Sequence, residues 1–219
     1  MKKILVFAIL VMGLVFAIQP AENWTVLGTG KYTPTKNANV TTEGGNVTNV
    51  DFASNISTEK WAGFWGNVSG AVVLTPGSSM FYTWTWDSSN GGEVCAVAAS
   101  SGFDWASVQQ TAAAAVDGIW NFGSAIDNAT NTLTSSCAVT VAGTPVSGSA
   151  GNYTGVGGFE TCVVADDVAP ADKSDLAFCV NITQNGNLFN GQPGDYELLT
   201  ATNETAGQYE TYYFWLELD

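Results

Sequence analysis

Histidine and arginine are both missing from this 219-residue sequence, and its six basic residues are all lysines. Without histidine, Ser–His and Cys–His nucleophile arrangements are excluded. Six lysines against 20 acidic residues, a formal charge of −14, leave no basic face to neutralise phosphates, so nucleic acid is not expected as a partner. An anionic membrane surface is disfavoured for the same reason. The glycine patterns of the P-loop and the dinucleotide site are missing too, as is any C-x-x-C pair. A pair of carboxylates can still run glycoside hydrolysis, but nothing singles out two of the 20. No catalytic residue is therefore assigned and no enzyme is expected; a carboxylate-based glycosidase is the enzymatic alternative.

The chain opens MKKILVFAILVMGLVFAIQPAE, a short basic start followed by an apolar run from Ile4 to Ile18. That run is short for a bilayer span, which takes about 20 apolar residues. Val15-Phe16-Ala17 carries small residues where a signal peptidase reads, so residues 1–17 are expected to be a signal peptide cut after Ala17. An uncleaved anchor is the alternative. A pilin-type leader is a third, although Lys2-Lys3-Ile4 lacks the small residue usual before that cut. Cleavage removes two lysines and takes the charge to about −16. A secreted, extracellular or cell-surface location follows, and high net charge suits a soluble protein there.

Four cysteines, Cys95, Cys137, Cys162 and Cys179, form an even set in an exported chain and are expected to make two disulfides. Glu160–Val164 and Leu176–Ile182 have the pattern of antiparallel neighbours about the Asp166–Asp175 loop, which favours Cys162–Cys179 and leaves Cys95–Cys137.

Residues 18–50 are rich in Gly, Thr and Asn and are expected to be an edge strand or linker; residues 51–219 form the folded domain. There, short apolar or β-branched runs alternate with Gly/Ser/Asn/Asp clusters. The strands expected are Phe64–Leu74, Met80–Trp86, Glu93–Ala99, Cys137–Ala142, Phe159–Ala165, Leu176–Thr183, Tyr196–Thr202 and Glu210–Leu218. Strands of this length and spacing point to an all-β fold, an antiparallel β-sandwich of immunoglobulin-like or jelly-roll-like type. One alanine-rich segment, Asp104–Phe122, repeats Trp105, Val108, Ala112, Val116 and Ile119 at helical spacing. It predicts one inserted helix near residues 104–121, with Asp104 as its N-cap.

Nine N-x-S/T triplets begin at Asn23, Asn39, Asn46, Asn55, Asn67, Asn128, Asn152, Asn181 and Asn203. Chance alone predicts roughly three from this composition. The excess predicts dense N-glycosylation. Strand parity is a check: Phe64, Val68, Val72 and Leu74 share the apolar face, so Asn67 points out. In LAFCVNIT the same parity turns Asn181 outward, and Cys179 with it. In MFYTWTW, Met80, Tyr82, Trp84 and Trp86 share one face and are expected in the core, because the threonines occupy the other. Trp65 is outward by parity and could stack on a carbohydrate ligand.

Two acidic loops carry oxygen ligands for calcium. One holds Asp87, Ser89, Asn90 and Glu93, and the other Asp166, Asp167, Asp172 and Asp175. The second is preferred because its charges would otherwise repel. No other cofactor is expected.

The segments STEKWAGFWGNVSG, FYTWTW, GGEVCA, GGFETCVV, FCVNIT, GDYELL and ETYYFWLEL resemble a group of uncharacterised archaeal secreted proteins, over about Thr58 to Asp219. More broadly, the chain is similar to archaeal β-sandwich cell-surface and filament subunits. That resemblance implies a structural or adhesive role and self-association, or contact with other surface components, by strand exchange through Asn23–Thr35. It carries no catalytic residue.

Overall fold

A computed structural model describes residues 18–33, 39–77, 79–204 and 207–219. The expected leader, residues 1–17, lies outside these, as do Pro34 and Thr35 of the expected exchange segment. Fourteen strands follow in order: β1 Gln19–Pro20, β2 Trp61–Gly66, β3 Gly70–Leu74, β4 Tyr82–Trp86, β5 Gly92–Val97, β6 Gln109–Gln110, β7 Ser135–Val141, β8 Thr144–Thr154, β9 Phe159–Ala165, β10 Leu176–Asn181, β11 Gly186–Asn187, β12 Pro193–Gly194, β13 Tyr196–Ala201 and β14 Tyr213–Leu218. Between β6 and β7 lie two short helices, α1 Ala113–Ile119 and α2 Ala129–Thr132. The fold is all-β and sandwich-like, as the strand spacing predicts.

The main sheet is antiparallel, in the order β1-β14-β5-β10-β9-β8-β7. Strand β6 continues the outer edge of β9 beyond the point where β8 leaves it, with Gln109 opposite Ala165. Both faces of this sheet are covered, which accounts for the unbroken apolar runs VCAV, TCVVA and LAFCV. On one face Val94, Ala96, Val163, Phe178 and Val180 pack under Val116 of α1, Trp120, Phe122 and Leu198 of β13. On the other, Cys95, Val97, Cys162, Val164 and Cys179 pack under Val139, Val141 and Val146.

The cover of the second face is the β7–β8 hairpin. A register shift between Cys137 and Ala138 and a positive φ of 82° at Gly148 bend it out of the sheet and over Cys95 and Cys179. Glycine accepts that φ at no cost from a side chain. At the tip, Ala142 N donates to Glu217 Oε2 at 2.6 Å, closing the hairpin onto β14.

The disulfides are Cys95–Cys179 and Cys137–Cys162, with Cα separations of 4.1 and 5.8 Å. The expected pairs Cys162–Cys179 and Cys95–Cys137 are both overturned. The expected antiparallel neighbours do form, and Cys179 does lie opposite Cys162. But β10 is an inner strand, and Cys95 stands opposite Cys179 on its other side. Local spacing exposes only the nearer neighbour. Cys179 is fully buried rather than at the surface, because the hairpin covers its face.

The helix is shorter than its alanine pattern predicts. Asp104 caps a turn instead, accepting from Ala106 N at 3.0 Å and Ser107 Oγ at 2.7 Å. Trp105 and Val108 belong to the second core and α1 to the first. The predicted strand 64–74 is two strands, interrupted at Asn67–Ser69, where Val68 N donates to buried Asp195 Oδ2 at 3.0 Å.

Candidate functional site

Asn23, Asn39, Asn46, Asn55, Asn67, Asn181 and Asn203 are exposed, and Asn128 and Asn152 are half-buried. None of the nine acceptors lies in either core. Asn67 occupies the β2–β3 break, and Asn181 ends β10 opposite Glu93. A pocket of about 180 Å³ opens beside Asn181, lined also by Tyr153, Glu160 and Thr183.

Asn128 and Asn152 differ chemically from the rest. Asn128 is the N-cap of α2: its Oδ1 accepts from Asn131 N at 2.8 Å and its Nδ2 donates to Gly123 O at 3.1 Å. Asn152 Nδ2 donates to Thr132 O at 2.5 Å, and Oδ1 accepts from Tyr153 N. The atom that would carry the sugar is already tied to backbone in both. Among the described residues, Asn203 is engaged through Oδ1 alone, by Lys60 Nζ at 3.3 Å.

A second candidate surface is the β3–β4 ribbon, which pairs with no third strand among the described residues. Val72 faces Trp84 and Leu74 faces Tyr82 across it. The expectation that Met80, Tyr82, Trp84 and Trp86 all fill the core is corrected here. Only Trp86 is sealed, at 4% exposure, while Tyr82 and Trp84 are 56% and 49% exposed. Trp86 roots the ribbon through Nε1–H to Asp219 O at 3.1 Å; beyond it, no described residue buries the row. The Tyr82 and Trp84 rings sit 4.7 Å apart. Trp65 is outward as parity predicts, in edge contact with exposed Phe189 at 5.6 Å. Trp24, Val26 and Leu27, in an unpaired stretch after β1, are also exposed.

In the acidic loops the carboxylates serve the backbone. Asp172 and Asp175 come together as a reciprocal cap of one 3₁₀ turn, Lys173–Asp175. Asp166 Oδ2 accepts from Asp104 N at 2.7 Å and Asp167 Oδ1 from Ala169 N at 3.1 Å. Asp87 accepts from Ser89 N at 2.8 Å, and Glu93 points into the sheet rather than the loop with Ser89 and Asn90. No cluster of three or more His, Cys, Asp or Glu side chains is arranged to hold a metal among the described residues. Asp87, Asp104 and Asp172 are held below the usual carboxylate range, each first by a serine hydroxyl and then by a backbone N–H.

The opposite shift occurs at a site that sequence reasoning missed. Glu93 is pushed up to about 8, first by burial, then by Glu217 and Asp219. Glu217 is raised as well, by burial foremost. Parity in GGEVCAV puts Glu93 on the face of Cys95, a signal that a carboxylate lies under the hairpin. Burial also raises the Tyr196 and Tyr212 hydroxyls.

No protein-family model, curated protein or solved structure matches this chain.

Proposed function

We propose that this is an exported, N-glycosylated, non-enzymatic structural or adhesive protein of an archaeal cell surface, a subunit of a filament or envelope. The observation that supports it is the placement of the nine acceptor asparagines, all outside both cores and seven of them exposed. Asparagines mostly face water whether or not they carry sugar, so it is this exposure together with the excess of triplets over chance that supports the reading. Two disulfides suit an oxidising location, and no described helix is long and apolar enough to cross a membrane.

Assembly by strand exchange through Asn23–Thr35 fits two features. Among the described residues, the β1 segment covers the β14 edge from Leu216 to Phe214, where Ala21 N donates to Phe214 O at 2.9 Å, and the following stretch carries exposed Trp24, Val26 and Leu27. Unpaired edges of this kind accept strands from other chains. Intact-mass spectrometry of the native secreted protein tests the core of the reading, with leader loss, two disulfides and a multi-sugar increment expected. A native mass equal to the bare chain sinks it. Negative-stain microscopy tests assembly, where strictly monodisperse monomers count against a filament subunit.

A carbohydrate-binding or adhesion module is the second reading, favoured by the exposed pairs Tyr82–Trp84 and Trp65–Phe189. Aromatic faces of this kind stack on sugar rings. Glycan-array binding lost on Trp65→Ala supports it; an array with no signal removes it.

A further inference from the structure

Glu93 on β5 and Glu217 on β14 stand directly opposite each other in an antiparallel pair. They are 5% and 3% exposed. Glu217 Oε2 takes the Ala142 N–H of the hairpin tip, whereas Glu93 Oε2 has no hydrogen-bond partner among the described residues. The neighbours facing them are uncharged Asn181 on β10 and Asp219, one more negative group, beyond β14. Buried carboxylates without a counter-charge are costly. Among the described residues the one ion pair is Lys173–Glu210, and Lys60 is engaged with Asn203 and the Phe122 ring. Among the described residues, no lysine pairs with either of these two acids.

Strand register names the missing partner. β1 runs antiparallel to β14, with Gln19 opposite Leu216 and Pro20 opposite Trp215. One step back along the same register, Ile18 falls opposite Glu217. Its side chain is buried in the cluster with Cys95 and Trp215, on the face that holds both carboxylates. Opposed residues in such a pair have Cα atoms roughly 4.5–5.5 Å apart, so the Ile18 nitrogen is within a side chain's reach of Glu217. In the uncut chain that nitrogen is a neutral amide.

We propose that Glu217 and Glu93 form a socket for the mature N-terminus, and that cleavage after Ala17 supplies its counter-charge as the α-ammonium of Ile18. The inference rests on the exported reading above. A leader peptidase adds one water across the Ala17–Ile18 amide. The oxygen goes to the Ala17 carbonyl carbon, which departs with the leader as a carboxylate. The nitrogen stays on Ile18 and is protonated at neutral pH, since α-amino groups titrate at about 7.7–8.0. The cut is thereby coupled to the fold: it converts a neutral edge strand into a charged plug beside the hairpin latch. A cut one residue earlier moves the amine by roughly 3.3 Å, away from the pair.

The test compares disulfide-intact protein whose first residue is Ile18 with the same chain carrying Gly-Ser ahead of it. Each is made with and without Glu217→Gln. At pH 6–7 the Ile18-first form should have an unfolding equilibrium constant about tenfold smaller, the equivalent of one pKa unit. Carboxylates raise the amine's folded pKa, so this advantage is full below its unfolded value and is lost as pH rises through the folded one. Glu217→Gln should abolish it. Equal stability of the two forms at pH 6–7, or a difference that survives Glu217→Gln, overturns the socket. Titration of the Ile18 amine by ¹⁵N NMR needs no variant: a midpoint above about 8 supports the proposal and an ordinary one refutes it. N-terminal sequencing of the naturally exported protein tests the cut separately. Any first residue other than Ile18 overturns the maturation step, whatever the unfolding data show.

Discussion

At the scale of single residues, an acceptor asparagine must offer a free Nδ2, and two of the nine do not. Glycopeptide mapping of the native protein should find sugar at the exposed acceptors and none at Asn128 or Asn152, whose amides hold Gly123 O and Thr132 O. Full occupancy of Asn152 would show that this bond is dispensable. Asn128→Ala should cost about 1 kcal/mol through loss of the α2 cap, read from the unfolding midpoint. Glu93 gives a pH signature in a chain extended ahead of Ile18. Its carboxyl is raised from an ordinary 4.5 to about 8, so between those values the folded state holds a proton that the unfolded state has lost. Stability must therefore fall as pH rises from 4.5 towards 8. Glu93→Gln should flatten that slope and make the variant more stable than its parent at pH 8, by roughly 1–3 kcal/mol. An unchanged slope would place the titration elsewhere.

At the scale of elements, β8 shows what the sequence could and could not convey. TPVSGSAGNYT has few large apolar residues, so its pattern predicts no strand, yet it is the longest strand among the described residues, at 11 residues. Its small residues are needed by geometry. Gly151 lies between Cys162 and β7, and a Cβ there would meet Cys137 Sγ at 2.7 Å and Thr161 O at 2.6 Å. The Cys137–Cys162 bridge passes over this one residue. Gly151→Ala should leave Cys137 and Cys162 largely as free thiols, countable with a thiol reagent under denaturation; quantitative bridge formation would show that the strands can part. Runs such as FETCVVA and LAFCVN were legible because strands buried on both faces are almost wholly apolar. Disulfide partners and the fate of Tyr82 and Trp84 were not, because both depend on which strand lies beside which. Asp104 looked like a helix cap because a capped turn and a capped helix begin with the same residue type.

At the scale of the whole molecule, the apolar surface is concentrated in the β3–β4 ribbon and in the stretch after β1, while the acceptor asparagines are spread along the chain. A two-stranded ribbon is marginal by itself, and exposed apolar patches mark contact surfaces. Trp84→Ala should change thermal stability by less than about 1 kcal/mol, since the ring is half in water. Under either functional reading it should weaken sugar binding or self-association. Unaltered binding and assembly would make the ribbon a bystander.

The covered second face also has a chemical consequence. All four cysteines are sealed there, none more than 2% exposed, so a reductant in the medium meets no sulfur until the β7–β8 flap lifts. At saturating reagent, the speed of reduction becomes a clock for that lifting. The bridges would then outlast stray thiols by shelter rather than by redox potential.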